Sequence, residues 1–207
     1  MYGTLGHPKC LRCLSDGSVI FNDVNTDANG SLVTPEKLPY GEGYFLVEVE
    51  APYGYVLDNT PVYFDVTEEN SSEENGIELI KVNKGNVAQK GTVSITKTGE
   101  VFSDVSVTGE ETKMYQPVYG ETALKGAVFE IRAAEDIITP DGTLRYAAGE
   151  IVDTVTTGAD GIAKSKEIYL GKYEVYEITA PYGYVLSDEI HTVALVYAGQ
   201  NVAVTET

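Results

Sequence analysis

One string of seven residues, APYGYVL, occurs twice in this chain, at 51–57 and at 180–186, and each copy follows an alternating run with a Glu three residues before the Ala. The two runs are Tyr44, Phe45, Leu46, Val47, Glu48 and Tyr173, Glu174, Val175, Tyr176, Glu177. Successive side chains of a strand point to opposite faces, so Tyr, an aliphatic residue and Glu share one face in both copies. If that face is the core, each copy buries a carboxylic acid, which is costly unless it is protonated or paired. The same placement twice asks for a chemical reason. Upstream, Thr26, Asp27, Ala28, Asn29, Gly30 aligns with Thr157, Gly158, Ala159, Asp160, Gly161 at nearly the same spacing, and both read as turns between strands. Self-similarity at so long a period indicates tandem domains rather than a short solenoid repeat.

A chain of 207 residues accommodates two such domains, which we place at 1–89 and 90–207. No long stretch repeats apolar residues with the helical period, and turn signals such as Pro140, Asp141, Gly142 interrupt the chain often. With 21 Gly, 8 Pro and 15 Tyr and short alternating stretches at 92–98 and 192–196, the composition is all-β and the expected architecture a pair of β-sandwiches. Thirty-two acidic residues against 14 basic ones give a formal charge of -18, which opposes approach to a phosphate backbone and excludes nucleic acid as a partner. The acidic cluster Glu68, Glu69, Glu73, Glu74 reads as a solvated hairpin loop. No apolar run is long enough to cross a bilayer, and Met1, Tyr2, Gly3, Thr4 does not open a signal peptide.

The second copy has a strand at 91–98, then a stretch from Val101 to Glu121, then Leu124, Lys125, Gly126, Ala127, Val128, Phe129, Glu130, Ile131. In the first copy Leu5, Gly6 and the segment 10–14 match the last of these loosely, and no counterpart of 91–98 precedes them. The first copy is therefore expected to lack its opening strand, and the chain to be an excised piece of a longer one. The ordered set of an opening strand ending in Lys (Val93, Ile95, Lys97), LxGAxFxI at 124–131, TxxxG at 157–161, GxYxxxE (Gly171, Tyr173, Glu177) and APxGY at 180–184 resembles the collagen-adhesin B-type repeat. This is the prealbumin-like, SpaA-type pilin domain of Gram-positive surface proteins. The resemblance covers nearly all of 90–207 and, less completely, about 10–89. It implies two tandem Ig-like/prealbumin-like β-sandwiches, the first lacking its opening strand.

The resemblance also implies chemistry: an internal amide formed between a Lys of the first strand and an Asn near the end of the last, assisted by the Glu, with ammonia leaving. Lys97 would be the donor and Glu177 the assisting acid of the second copy, with Glu48 and Asn86 their counterparts in the first. If Val93, Ile95 and Lys97 face inward, burial favours the neutral amine, a competent nucleophile. The same burial favours a protonated Glu177, which can polarise the Asn carbonyl and shuttle protons. The acceptor is where the pattern fails. Asn86 fits the family position better than Asn83, whereas in the second copy the position falls a few residues beyond Thr207 and Asn201 lies in a turn. Neither Lys9 nor Lys37 stands in a first-strand pattern. Neither cross-link is expected to close within these residues, leaving Lys97 and Glu177 to pair with each other.

Other residues offer weaker chemistry. His7, Cys10 and Cys13 have a metal-like spacing but no second ligand pair, so two small buried residues or a tight disulfide is favoured. Asn25, Asp27, Asn29, Gly30 and Glu36 match a calcium-loop spacing without flanking helices, and a hairpin turn is favoured there. Tyr53, Tyr55, Tyr182 and Tyr184 are expected to pack the turn after the Glu strand rather than to stack on sugars. His191 receives no role. No cofactor and no enzyme motif are expected, beyond autocatalytic amide formation. The expected function is a structural stalk or pilin-like module of a cell-wall adhesin, outside the cell, with neighbouring domains of a longer surface protein as partners. The alternative is direct capture of a host protein or glycan through Val101 to Glu121. The edge left exposed by the missing strand of the first copy is expected to be covered by a tail or a modified edge, with a strand donated by a neighbouring molecule as the alternative partner.

Overall fold

The computed structural model describes residues 9–10, 19–21, 24–69, 72–74, 77–201 and 204–206, and no helix occurs among them. The chain divides into two compact units, Met1–Gln89 with Tyr197–Val202, and Lys90–Val196 with Ala203–Thr207.

The first unit contains β1 (Lys9–Cys10), β2 (Val24–Asn25), β3 (Gly41–Leu46), β4 (Glu48–Glu50), β5 (Tyr55–Val56), β6 (Val62–Val66), β7 (Ser72–Glu74), β8 (Ile77–Leu79) and β9 (Val87–Ala88). Strand β1 lies between β2 and β4, and β3–β6, β5–β9 and β7–β8 form two-stranded ladders. Glu73 and Glu74 of the acidic cluster stand in the β7–β8 hairpin. The core centres on buried Tyr44, stacked on Phe64 with ring centroids 5.7 Å apart and surrounded by Ile20, Val24, Leu38 and Leu46. Its hydroxyl donates to the carbonyl of Pro39 at 2.9 Å, giving the one polar atom of a buried ring a partner. Residues 197–202 complete this unit. The Gln200 side chain accepts from Ala51 N at 2.8 Å, its carbonyl accepts from Leu57 N at 3.2 Å, and Tyr197 packs on Tyr53.

The second unit contains β10 (Lys90–Thr96), β11 (Thr98–Thr108), β12 (Met114–Ala123), β13 (Val128–Ala133), β14 (Ile137–Ile138), β15 (Leu144–Tyr146), β16 (Ile151–Thr156), β17 (Ile162–Lys164), β18 (Ile168–Tyr169), β19 (Gly171–Thr179), β20 (Ile190–Leu195) and β21 (Val204–Glu206). One sheet has the order β16-β13-β19-β20, and in the other β10 pairs with β17, β18 and, in parallel, β21. Side chains alternate as period two requires: Phe129, Ile131 and Ala133 of β13, with Tyr173, Val175 and Glu177 of β19, point inward. They meet Val93 of β10, Ala163 of β17 and Ile168 of β18 in one apolar core. This is an all-β sandwich.

The two units repeat one register. Cys10 pairs with Glu48 and Val24 as Phe129 pairs with Glu177 and Val155, and Tyr44 pairs with Phe64 as Tyr173 pairs with Val193. Both TxxxG turns close alike, with Gly30 N donating to Asp27 O and Gly161 N to Gly158 O, each at 3.0 Å. Their glycines hold φ of 76° and 72°, a region closed to most side chains.

Several boundaries differ from the sequence reading. The opening strand of the second unit ends at Thr96, one residue before Lys97, and the strand within LKGAVFEI begins only at Val128, after a turn at Gly126 with φ of 90°. The last strand is Val204–Glu206 rather than 201–207. Val101 to Glu121 is no loop: β11 and β12 form one long antiparallel ribbon with a bulge beside Phe102. Its alternating Val, Ser and Thr residues suit a solvated ribbon, and its tip turns at Gly109, where a Cβ would lie 2.2 Å from Thr112 O. Truncating the fully buried Ile131 to Ala should cost about 2–5 kcal/mol in denaturant unfolding of the second unit. Changing exposed Val33 to Ser should stay within about 0.5 kcal/mol.

Candidate functional site

Each glutamate reaches the core by alternation, and each meets the same backbone. In the first turn Tyr55 N donates to Pro52 O at 3.1 Å, and in the second Tyr184 N donates to Pro181 O at 3.0 Å. The third turn residue is Gly54 or Gly183, with φ of 84° or 88°, as a turn with a left-handed third position needs. The turn returns the chain so that Asp58 N donates to Glu48 Oε2 at 3.1 Å and Ser187 N donates to Glu177 Oε2 at 2.9 Å. The acid is thus bonded by the first amide after the repeated string, in both units.

What occupies the rest of each carboxylate differs. In the first unit Asn86 Nδ2 donates to Glu48 Oε1 and Oε2 at 2.8 and 2.7 Å. In the second, Lys97 Nζ stands 3.0 Å from Glu177 Oε1. That oxygen accepts no directional hydrogen bond, so the contact is an ion pair by distance rather than by alignment. Lys97 is held by its own backbone, its N–H donating to Gly161 O at 2.8 Å and its carbonyl accepting from Leu124 N at 2.9 Å. Gly161 has to be glycine there, because a Cβ would sit 2.6 Å from Lys97 O.

The geometry corrects two expectations. Lys97 is not fully buried: its side chain is 24% exposed against 2% for Glu177, because it lies past the end of β10 at the rim of the sandwich. Its amine is therefore less desolvated than a core strand position would make it. The amide nitrogen of Asn86, not its carbonyl, faces Glu48. Asn83 and Asn201 are exposed. Three residues near the acids carry no sequence motif: Asp58, Ser187 and Lys84. The first two stand at identical distance from the repeated string, and Lys84 is in strand phase with Asn86, which are the signals that mark them. Lys84 Nζ contacts Thr60 O and Asp58 Oδ2, both at 2.7 Å. That contact, with help from Thr60, holds the Asp58 carboxyl well below the usual carboxylate range.

The remaining candidates separate from these sites. Asp27 Oδ1 accepts from Asn29 N and Ser31 N, both at 2.9 Å, closing the turn that the calcium spacing mimics. Asn25 stands in β2 and Glu36 is exposed, and the described residues contain no group of three or more His, Cys, Asp or Glu able to hold a metal ion. His7 and Cys13 lie outside the described residues, and Cys10 stands in β1. Contrary to expectation, Tyr53 and Tyr182 are exposed, because they occupy the outward corner of their turns. Tyr55 and Tyr184 are half-buried, and Tyr184 donates to Glu100 O at 2.8 Å. His191 is exposed, 3.8 Å from Glu189.

These are prealbumin-like sandwiches with a glutamate set beneath a repeated turn. The model of the SpaA prealbumin-like fold domain matches residues 13–81 and 117–207, and the chain belongs to that family. No curated protein matches it. Among solved structures, the Bacillus anthracis TIE protein is similar in fold over 98% of this chain, at 24% identity and a TM-score of 0.51, and the chain spans 31% of that protein's length. BcpA, the major pilin subunit of Bacillus cereus, aligns over 97% of this chain and 93% of its own at 18% identity and a TM-score of 0.32. A Streptococcal ancillary pilin aligns over 100% and 59% at 20% identity and a TM-score of 0.32.

Glu177→Ala removes the acceptor of Ser187 N and the partner of Lys97 together, and should cost about 1–3 kcal/mol in chemical denaturation. Glu177→Gln keeps an acceptor for Ser187 N and should cost less. Equal costs for the two variants would contradict the backbone role of the carboxylate.

Proposed function

We propose that this chain is a structural, load-bearing module of a stalk, pilus or adhesin on the surface of a Gram-positive cell. Its two domains, 1–89 and 90–207, are of the kind that joins a first-strand Lys to a last-strand Asn by an amide. One observation carries the reading: each unit buries a glutamate against one member of that reacting set, the amine of Lys97 in one and the amide of Asn86 in the other. Membership of the SpaA family supports it. The module works outside the cell, linked to neighbouring domains of a longer protein, without a cofactor and without an external substrate.

The chemistry follows from the groups. A neutral Lys97 amine attacks the side-chain carbonyl carbon of an Asn brought beside Glu177. The new N–C bond replaces the C–N bond of the amide, Glu177 carries the proton to the departing nitrogen, and ammonia leaves. Closed, such a bond ties the first strand to the last and limits how far the domain extends under load. Within these residues each unit holds two of the three members, so both sites stay open. The reduced, denatured chain should weigh its formula mass, and pulling its ends should extend both units to their full contour. A mass lower by one ammonia, with extension shortened to match, would overturn this.

A second reading has its own observation. Cross-strand pairs Phe102–Tyr119, Val105–Pro117 and Val107–Tyr115 put six apolar residues on one face of the β11–β12 ribbon, all of them exposed. A contiguous exposed apolar face suits capture of a host protein or a glycan. Replacing Val101 to Glu121 by a short turn should abolish binding on a host protein and glycan array while leaving the unfolding midpoint of the second unit in place. Undiminished binding would contradict this reading.

A further inference from the structure

We propose, building on the second reading above, that the apolar face of the β11–β12 ribbon docks a basic amphipathic helix of another polypeptide, whose cations meet carboxylates at both ends of the stripe.

The ribbon is built as a surface rather than as part of a core. Neither β11 nor β12 pairs with a third strand, and a two-stranded hairpin without further packing is at best marginally stable in water. Its two faces differ in kind. One carries the rows Phe102–Tyr119, Val105–Pro117 and Val107–Tyr115, whereas the other sets Ser106 opposite Gln116 and Asp104 opposite Val118. All six residues of the apolar rows are exposed. Phe102 and Tyr119 meet edge to face with ring centroids 6.5 Å apart, so the stripe begins at an ordered aromatic pair.

Charge selects the occupant. Glu100 lies directly opposite Glu121 on the apolar face, one row from Phe102 and Tyr119. Like charges opposed across a ladder weaken it, and no Lys or Arg among the described residues forms an ion pair with either glutamate. Beyond Val107 and Tyr115 the tip holds Glu110 and Glu111 against Lys113 alone. The stripe is therefore apolar along its middle and acidic at both ends. Two copies laid face to face, in either sense, set carboxylates against carboxylates, which opposes a second copy of this chain as the occupant, and an acidic glycan is opposed in the same way. A neutral sugar calls for a concave site, whereas this stripe is open along its length. From Glu121 to Tyr115 the strand rises about 20 Å, the length of a helix of about 14 residues. A helix of that length lays its apolar side along the three rows, with Lys or Arg at each end reaching the acids. A cation at the base also finds the faces of the Phe102 and Tyr119 rings.

The test titrates the full chain into a dye-labelled helical peptide of about 14 residues, made of Leu and Lys with Leu on one face, and follows fluorescence polarisation. Binding should saturate and should weaken as salt is raised. Glu100→Gln together with Glu121→Gln, which keeps both side-chain shapes and relieves the opposed charges, should weaken it about five- to tenfold. Phe102→Ser together with Tyr119→Ser should abolish it. Two further peptides test the chemistry without touching the protein. One has the same composition with Leu spread around the helix, the other has Glu in place of every Lys, and neither should bind. Equal binding of the spread peptide, or binding that survives replacement of residues 101–121 by a short turn, would show attraction to the acidic chain as a whole and overturn the proposal. Equal binding of the Glu peptide, or affinity untouched by the paired Gln substitutions, would overturn the charge selection while capture through the apolar face stands. If the Leu–Lys peptide fails to bind and the host protein and glycan array still shows capture that depends on the ribbon, the basic helix is the wrong partner and the second reading survives. Failure on both would overturn the second reading as well.

Discussion

A carboxylate placed in the core of a small sandwich dictates what surrounds it. Its cost of burial has to be met by donors fixed in space. In both units the first donor is the amide of the residue after APYGYVL, Asp58 or Ser187, delivered by a turn whose glycine adopts a conformation other residues resist. That single bond couples the strand carrying the Glu to the loop that leaves it, and it accounts for the repetition of the whole string rather than of the Glu alone. It also leaves one side of the acid free for a second partner, Lys97 just past the end of β10 in one unit and Asn86 in the other.

The two units thereby resemble one machine caught with different parts fitted. In the second, β10 is present, and its backbone is clamped by Gly161 and Leu124 so that Lys97 reaches the acid from the rim. In the first, the last segment is present, and Asn86 reaches the acid from the opposite partner's position. A covalent tie would lower the entropy of the unfolded chain most because the loop it closes spans nearly a whole domain. Without it, each unit rests on ordinary burial, concentrated in Ile131, Ile168 and Tyr173 of the second and, among the described residues of the first, in Tyr44 and Ala51.

Much of this was legible in the sequence because it depends on local period and local turns. Alternation placed Tyr44, Glu48, Tyr173, Val175 and Glu177 inward, and the two TxxxG segments read as turns. The repeated register made the counterparts of each residue readable. What escaped depends on contacts far apart in the chain. The end of β10 at Thr96, which puts Lys97 at the rim, is set by where β17 stops pairing. Tyr53 and Tyr182 look like core residues by type, yet sit at turn corners that face outward, so type alone misplaced them. The assignment of residues 197–202 to the first unit rests on Gln200 bonds to Ala51 and Leu57, which no spacing rule anticipates. The β11–β12 ribbon read as an irregular stretch because both its faces lack a buried stripe, and alternation is visible only when one face is a core.

Amide hydrogen exchange at Asp58 and Ser187 tests the central claim most directly, since it reads the bond from backbone to buried acid in both units at once. The account requires both amides to be protected in the unaltered chain, with Glu48→Ala releasing Asp58 alone and Glu177→Ala releasing Ser187 alone. Rapid exchange at either amide in the unaltered chain, or protection that survives loss of its glutamate, would contradict it.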